Sequence, residues 1–212
     1  MANQRLTKKK LKNHLAYSWW KYALAAAVST MLVSVVFAVT EYRPPDDKKV
    51  DFYVLNSYAD TETMQADFWP LLQARKPEQE KLTVININLT DSSNIYAPMQ
   101  FSTYAAAQQG DLFLISRDEM LKITSDGAQE SLMELTPYLE SGAIDAEDID
   151  LAKGTLDRGD GTTAVYAIPA DTLTGLNAYG NDPRDSLLCI PAYSKNADSA
   201  AALIELMLEK LR

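Results

Sequence analysis

The sequence predicts an α/β chain in which one transmembrane helix precedes a single three-layer domain with a mostly parallel sheet. Three observations predict it. Nineteen consecutive residues, Tyr22 to Thr40, carry no charge. After them, short β-branched and aromatic runs alternate with helical patterns, the order that builds right-handed crossovers and a parallel sheet. The charge also divides at the apolar run. The first 40 residues hold six Lys/Arg and no Asp/Glu, which leaves 14 basic against 29 acidic residues from position 41 onward, a net charge of −15.

The apolar run comes first. At about 1.5 Å per residue it is roughly 28 Å long, close to the hydrocarbon thickness of a bilayer. Its polar residues Tyr22, Ser29, Thr30, Ser34 and Thr40 can bond to a helix backbone or sit at the interface. Trp19 and Trp20 precede it as an interfacial belt. The basic tail over residues 1–21 places the N-terminus in the cytoplasm and the acidic part outside, and its Lys and Arg suit anionic lipid. A cleaved signal peptide is the alternative. Against it stand the length of the run and its end, Phe37-Ala38-Val39-Thr40, a poor small-x-small site.

Residues 41–48 read as a linker, extended by Pro44-Pro45. The domain is expected over 49–212. Val50–Leu55 is its first strand. A helix from Asp60 or Thr61 carries Met64, Phe68, Leu71 and Leu72 on one stripe and should kink or restart at Pro70. Leu82–Leu89 is the second strand. Pro98–Gln109 is helical, with Gly110 as its C-cap. Asp111–Ser116 is the third strand and Arg117–Lys122 a short helix. Leu132–Leu139 holds one or two helical turns broken by Pro137. Asp157-Arg158-Gly159-Asp160-Gly161 is a hairpin turn, a plainer reading than an integrin tripeptide. Thr163–Pro169 is the fourth strand, Ala170–Asp185 a polar excursion and Ser186–Ile190 the fifth strand. Ser194-Lys195-Asn196 caps a last helix with Ala200, Ile204, Met207, Leu208 and Leu211 on one face.

Composition excludes several functions. Net charge near −15 would repel a phosphate backbone, so nucleic acid is not a partner. A single cysteine, Cys189, forbids an intrachain disulfide and reads as a small core residue. The only histidine, His14, lies on the far side of the span, so the domain has no Ser-His or Cys-His pair and no enzyme is expected. Asp145, Glu147, Asp148 and Asp150 lack the glycine and terminal glutamate of a calcium loop, and read as a solvated acidic helix start. No cofactor or metal is implied.

In a parallel sheet, ligands sit beyond the carboxyl ends of the strands. Those ends supply Asn56 and Tyr58, Asp91, Ser116 and Arg117, and Asp171. Carboxylates and amides can bond sugar hydroxyls and Tyr58 can stack on a ring. The same residue types also cap helices and turns.

Four motifs, in order, resemble the first lobe of bacterial extracellular solute-binding proteins of the sugar-binding type. They are Gly110-Asp111-Leu112-Phe113-Leu114-Ile115-Ser116 after an Ala-rich helix, Leu135-Thr136-Pro137-Tyr138-Leu139, Tyr166-Ala167-Ile168-Pro169 with Ala167 where the family has glycine, and Cys189-Ile190-Pro191 leading to Ser194-Lys195-Asn196. The resemblance implies one lobe of a periplasmic-binding-protein-like fold. In that family a large second lobe follows the "IP" strand. Here only the sixteen residues Ala170–Asp185 intervene. A clamp that closes two lobes on a ligand is therefore not expected. The expected partners are the lipid bilayer and a transporter or other membrane protein, with carbohydrate as the alternative.

Overall fold

The computed structural model describes residues 8–40, 42–125 and 127–212. The tail up to residue 7 and Glu41 of the linker lie outside them. The chain divides into two compact units, one ending at Arg43 and one running from Pro44 to Arg212.

The first unit is the helix α1 (Lys8–Thr40). Its segment Tyr17–Thr40, 24 residues, is long and apolar enough to cross a membrane. It starts earlier than Tyr22 because Tyr17, Trp19 and Trp20 continue the same apolar helix. Thr30 and Thr40 donate their hydroxyls to the carbonyls of Ala26 (3.0 Å) and Val36 (2.7 Å). These two hydroxyls are thus satisfied by the helix itself, as hydrocarbon would demand.

The second unit is built on a five-stranded sheet, β2-β1-β3-β7-β6. Its strands are β1 (Lys49–Val54), β2 (Lys81–Asn86), β3 (Leu112–Ser116), β6 (Ala167–Pro169) and β7 (Ser186–Cys189). β1 pairs parallel with β2 and β3, whereas β7 runs antiparallel to both β3 and β6. Four strands therefore point one way and β7 returns between two of them. A hairpin of β4 (Thr155–Asp157) and β5 (Thr163–Val165) stands apart.

Alternation along each strand feeds two buried layers, which explains why the strands read as continuous apolar runs. Phe52, Val54, Leu112, Leu114 and Leu188 face α2 (Thr61–Arg75) and α7 (Ala197–Leu211), whose Met64, Phe68, Leu72, Leu203, Ile204 and Met207 complete that core. Tyr53, Phe113, Ile115, Leu187 and Cys189 face the other way. There they meet Phe101 and Tyr104 of α3 (Ala97–Ala106) and Met120 of α4 (Arg117–Ile123).

Several expectations change. The fourth strand is two pieces. Leu135 N–H donates to Val165 O, and Tyr166 N–H donates to Gly154 O, so the backbone changes partners at Tyr166 and only Ala167–Pro169 joins the main sheet. Pro70 lies inside α2 without ending it, on the exposed side. α3 stops at Ala106, and Gln108 with φ 53° makes the left-handed turn assigned to Gly110. Gly110 also lies at positive φ (105°), and a Cβ there would lie 2.6 Å from the Phe113 ring. Pro137 sits in the first turn of α6 (Thr136–Glu140), where its missing N–H costs nothing. The acidic run does not start an α-helix. Asp145 accepts from Glu147 N–H, and Asp150 caps the 3₁₀ turn Leu151–Gly154. Asp46–Lys48 of the linker is a 3₁₀ turn, and Asn196 donates to the carbonyls of Asp46 and Lys49.

Candidate functional site

The carboxyl ends of β1, β2, β3 and β6 share one edge of the sheet, together with the first residue of β7, since Ser116 pairs with Ser186 and Pro169 with Leu187. The six candidate residues are on this edge or in the loops leaving it, but half of them spend their side chains within the fold.

Asn56 is buried, 6 % exposed. Its amide donates to Ser186 Oγ (2.6 Å) and the carbonyl of Asp182 (3.1 Å), and forms a reciprocal pair with Asn181 (3.2 and 2.9 Å). Asn181, 1 % exposed, also donates to Ser57 Oγ at 2.8 Å. Ser116 caps α4 by accepting from Glu119 N–H. Arg117 N–H donates to the carbonyl of Asp185. Asp171 holds Lys153 Nζ at 3.0 Å and accepts from Asp185 N–H, while Lys153 also reaches Asp185 at 2.9 Å. Hydrogen bonding to Lys153 holds the Asp185 carboxyl below its ordinary value and raises the Lys153 ammonium.

Three candidate side chains remain outside this knot, one of them the exposed guanidinium of Arg117. Tyr58 is 66 % exposed, its ring beside Gly180. Asp91 is exposed and accepts from the Ser93 hydroxyl (2.6 Å) and N–H (2.9 Å), which lower its pKa. The Asp91 loop is tied to the Asn56 loop by Thr90 Oγ1, which donates to Asn56 O at 2.8 Å.

The polar excursion Ala170–Asp185 is what covers the edge. It contributes Asp171, Asn181, Asp182 and Asp185, and it is fastened to α2 by Tyr179 Oη donating to Asp67 at 2.8 Å. Asn181, Ser186 and Lys153 carry this arrangement and were not singled out from the sequence. Their only signal was the density of Asn and Asp between two strands, which reads equally as a loop.

Cavities among the described residues lie away from Asn56, Tyr58, Asp91, Ser116 and Arg117, and open hollows of about 500 and 350 Å³ sit beside Ile144 and beside Arg158. Asp171 borders one of about 120 Å³ with Lys153 and Ile149. Another of about 120 Å³ opens at the opposite edge of the sheet, between Asp46, Lys49, Asp51, Asp111 and Asn196. There the motif residues Asp111, Ser194 and Asn196 meet. Asp111 accepts from Ser194 Oγ (2.8 Å) and Asn196 Nδ2 (3.1 Å) on one oxygen and from Asp51 N–H (2.9 Å) on the other. Burial outweighs these bonds and pushes the Asp111 carboxyl up. Asn196 therefore caps α7 through its backbone only, because its side chain is committed to Asp111 and to the linker carbonyls.

No protein-family model and no curated protein matches the chain. Solved structures similar to it include an extracellular solute-binding protein family 1 from Alicyclobacillus acidocaldarius, at 14 % identity and a TM-score of 0.42 over 61 % of this chain. They also include the N-glycan transport solute binding protein of Streptococcus pneumoniae with bound Man1GlcNAc (15 % identity, TM-score 0.36, 57 % of this chain). A third is maltose-bound MalE3 of T. maritima (15 %, 0.36, 57 %). The chain spans 29 %, 24 % and 28 % of those three proteins, respectively.

Proposed function

We propose that a chain folded like one lobe of a solute-binding protein is held at the outer surface of a membrane by α1 and acts by contact with a neighbouring membrane protein. It captures no solute and carries out no reaction. The observation that carries this reading is the state of the carboxyl edge. Asn56, Ser116 and Asp171 spend their polar groups on Asn181, Ser186, Glu119 and Lys153. The cavity that Asp171 borders has about 120 Å³. Small-molecule sites run to roughly 300–1,000 Å³ and bury most of their ligand. The six basic residues up to Lys21, with none acidic, support a cytoplasmic N-terminus and an outer domain.

A second reading has its own support. Tyr58 and Asp91 are exposed on neighbouring loops, a ring to stack on and a carboxylate to accept hydroxyls. On that reading the domain is the carbohydrate-binding part of a transporter, with a shallow site. Thermal melting of the full chain in detergent with mono- and oligosaccharides separates the two. A ligand at a hundred times its Kd adds about 2.7 kcal/mol, roughly 5–10 °C for a unit of this size. The contact reading expects no shift with any sugar. A shift that is lost in Tyr58→Ala overturns it and establishes the shallow site.

A further inference from the structure

We propose that the hollow beside Ile144 docks a basic amphipathic segment of the neighbouring membrane protein. An apolar side chain of that segment enters the hollow, and its Lys or Arg residues meet the acidic rim. The proposal deepens the contact reading above and rests on it. Its signal in the sequence is charge segregation. From Ile123 to Ala152, thirty residues hold eight Asp/Glu and no Lys/Arg.

The turn after α6 builds the hollow. Gly142, at φ 73°, reverses the chain, and the N–H groups of Ala143 and Ile144 both donate to the Tyr138 carbonyl. The loop then sorts its side chains. Ile144, Ala146 and Ile149 are buried in the core shared with α2 and α7, while the interleaved Asp145, Glu147, Asp148 and Asp150 are exposed. Leu139, Ile144, Ala146 and Leu151 wall a space of about 500 Å³, with Asp145 and Glu147 on its border. That is room for a large apolar side chain. Two bonds pin the loop to the end of the chain. Asp145 N–H donates to Glu205 of α7 at 2.7 Å, and Arg212 donates to the Asp145 carbonyl at 2.6 Å. The loop is therefore fixed by the fold itself, and docking costs little further ordering.

Charge selects the occupant. Glu140, Asp145, Glu147, Asp148 and Asp150 enter no ion pair among the described residues, whereas Glu80, Glu119, Glu134, Asp171 and Glu209 each hold a Lys or Arg. Arg212 reaches a carbonyl of this loop and not a carboxylate. Lys153, the next cation along the chain, is spent on Asp171 and Asp185. The rim charge is thus left uncompensated by the fold. Among the described residues no three such ligands are grouped to hold a metal ion, so the carboxylates spread around an apolar space and do not converge on a point. A second copy of this domain, at −15, brings like charge to the rim and is repelled. A protein segment with Lys or Arg around a large apolar residue answers both features. Its anchor is desolvated in the hollow, and its cations set orientation and speed the encounter.

Peptide titration of the full chain in nanodiscs of zwitterionic lipid tests this, with empty nanodiscs as the blank. The probe is a fluorescent hexapeptide of four lysines and two leucines, and a second probe carries serines in place of the leucines. The leucine peptide should bind about tenfold tighter than the serine peptide, and both should weaken as salt rises from about 0.05 to about 0.5 M. Asp145→Asn, Glu147→Gln and Asp148→Asn together should weaken the leucine peptide about tenfold, the sum of three exposed ion pairs. Glu62→Gln, Glu78→Gln and Asp118→Asn together remove the same charge from exposed positions elsewhere and should change it less than about twofold. Leu139→Gln should weaken the leucine peptide and leave the serine peptide unchanged. If that variant melts early, the two peptides on the native chain decide in its place. Equal losses in the two triple variants mean that net charge alone attracts the peptide, and overturn the proposal. Equal affinities for the two peptides, or no binding, overturn it as well. The sugar melts with Tyr58→Ala judge the contact reading separately. A failed peptide test without a sugar shift strikes this hollow alone, and a Tyr58-dependent shift strikes the contact reading whatever the peptide does.

Discussion

Replacing Asn56 by alanine decides whether the carboxyl edge is a ligand site or a structural knot. In the folded chain the Asn56 amide donates to Ser186 Oγ and Asp182 O and exchanges bonds with Asn181. Truncation removes all of these at once. Ser186 Oγ still bonds to the carbonyls of Asp182 and Arg184, and Asn181 Nδ2 still donates to Ser57 Oγ. Asn181 Oδ1, in a residue 1 % exposed, loses its Asn56 donor. An orphaned buried acceptor costs about 1–3 kcal/mol, and two lost net hydrogen bonds add about 0.5–1.5 kcal/mol each. A loss of roughly 2–6 kcal/mol follows, and a unit of this size should melt about 4–24 °C lower. The assay is thermal and urea unfolding of the full chain in detergent, followed by near-ultraviolet circular dichroism. Asn181→Ala and the double variant complete a cycle. The double variant should cost less than the sum of the singles by about 1–3 kcal/mol, because each single orphans the other's amide. A melting point unchanged within the about 0.5 kcal/mol typical of a surface position would refute the reasoning. Asn56 would then be available to a ligand.

Two other perturbations test how the edge and the opposite cluster are built. Gly154→Ala places a Cβ 1.9 Å from the Ala167 carbonyl oxygen, a backbone atom that cannot step aside, so β6 must separate from the 3₁₀ turn. Hydrogen exchange should show lost protection at Ala167 and Ile168 and at the β4–β5 hairpin with β1 to β3 still protected. Uniform protection would mean the turn moves instead. For Asp111 the sign follows from its raised carboxyl. The folded state binds that proton more tightly than the unfolded chain does, so stability falls as pH rises from the ordinary aspartate value of about 3.9 through the folded value. Asp111→Asn should be less stable at every pH, since one amide oxygen replaces two acceptors serving Ser194, Asn196 and Asp51. Its deficit relative to wild type should widen as pH drops from 7 toward about 4.5. A deficit that stays constant with pH would mean Asp111 titrates normally.

Much of the fold was legible in local pattern. The apolar run marked a membrane-length helix from Tyr22, whereas the apolar segment begins at Tyr17, within the residues read as tail and belt. Strand positions were legible to within a few residues because most strand side chains are buried, and Val, Leu, Ile and Phe dominate the runs with few polar residues such as Asp51 and Thr83. The stripes of α2 and α7 matched the residues that pack, Met64, Phe68 and Leu72 and Ile204, Met207 and Leu211. Errors arose where a backbone or side chain took a partner far away in sequence. Thr163–Pro169 is one apolar run, yet Tyr166 hands its backbone to Gly154. Asn196 has the chemistry of a helix cap, yet its amide goes to Asp111, 85 residues away.

The candidate site was the least legible part. Asn56, Ser116 and Asp171 are residue types that serve a sugar, a turn or another side chain equally well. Composition and spacing cannot choose among these roles. By itself the sequence determined the elements, their order, the two faces of each strand and the division of charge about α1, because periodicity and charge are properties of neighbours along the chain. Only the tertiary structure decided that Asn181 meets Asn56 across 125 residues and that Ala170–Asp185 covers the carboxyl edge. A hydrogen bond depends on distances of about 3 Å, and those are set by how strands pack after the chain has returned on itself.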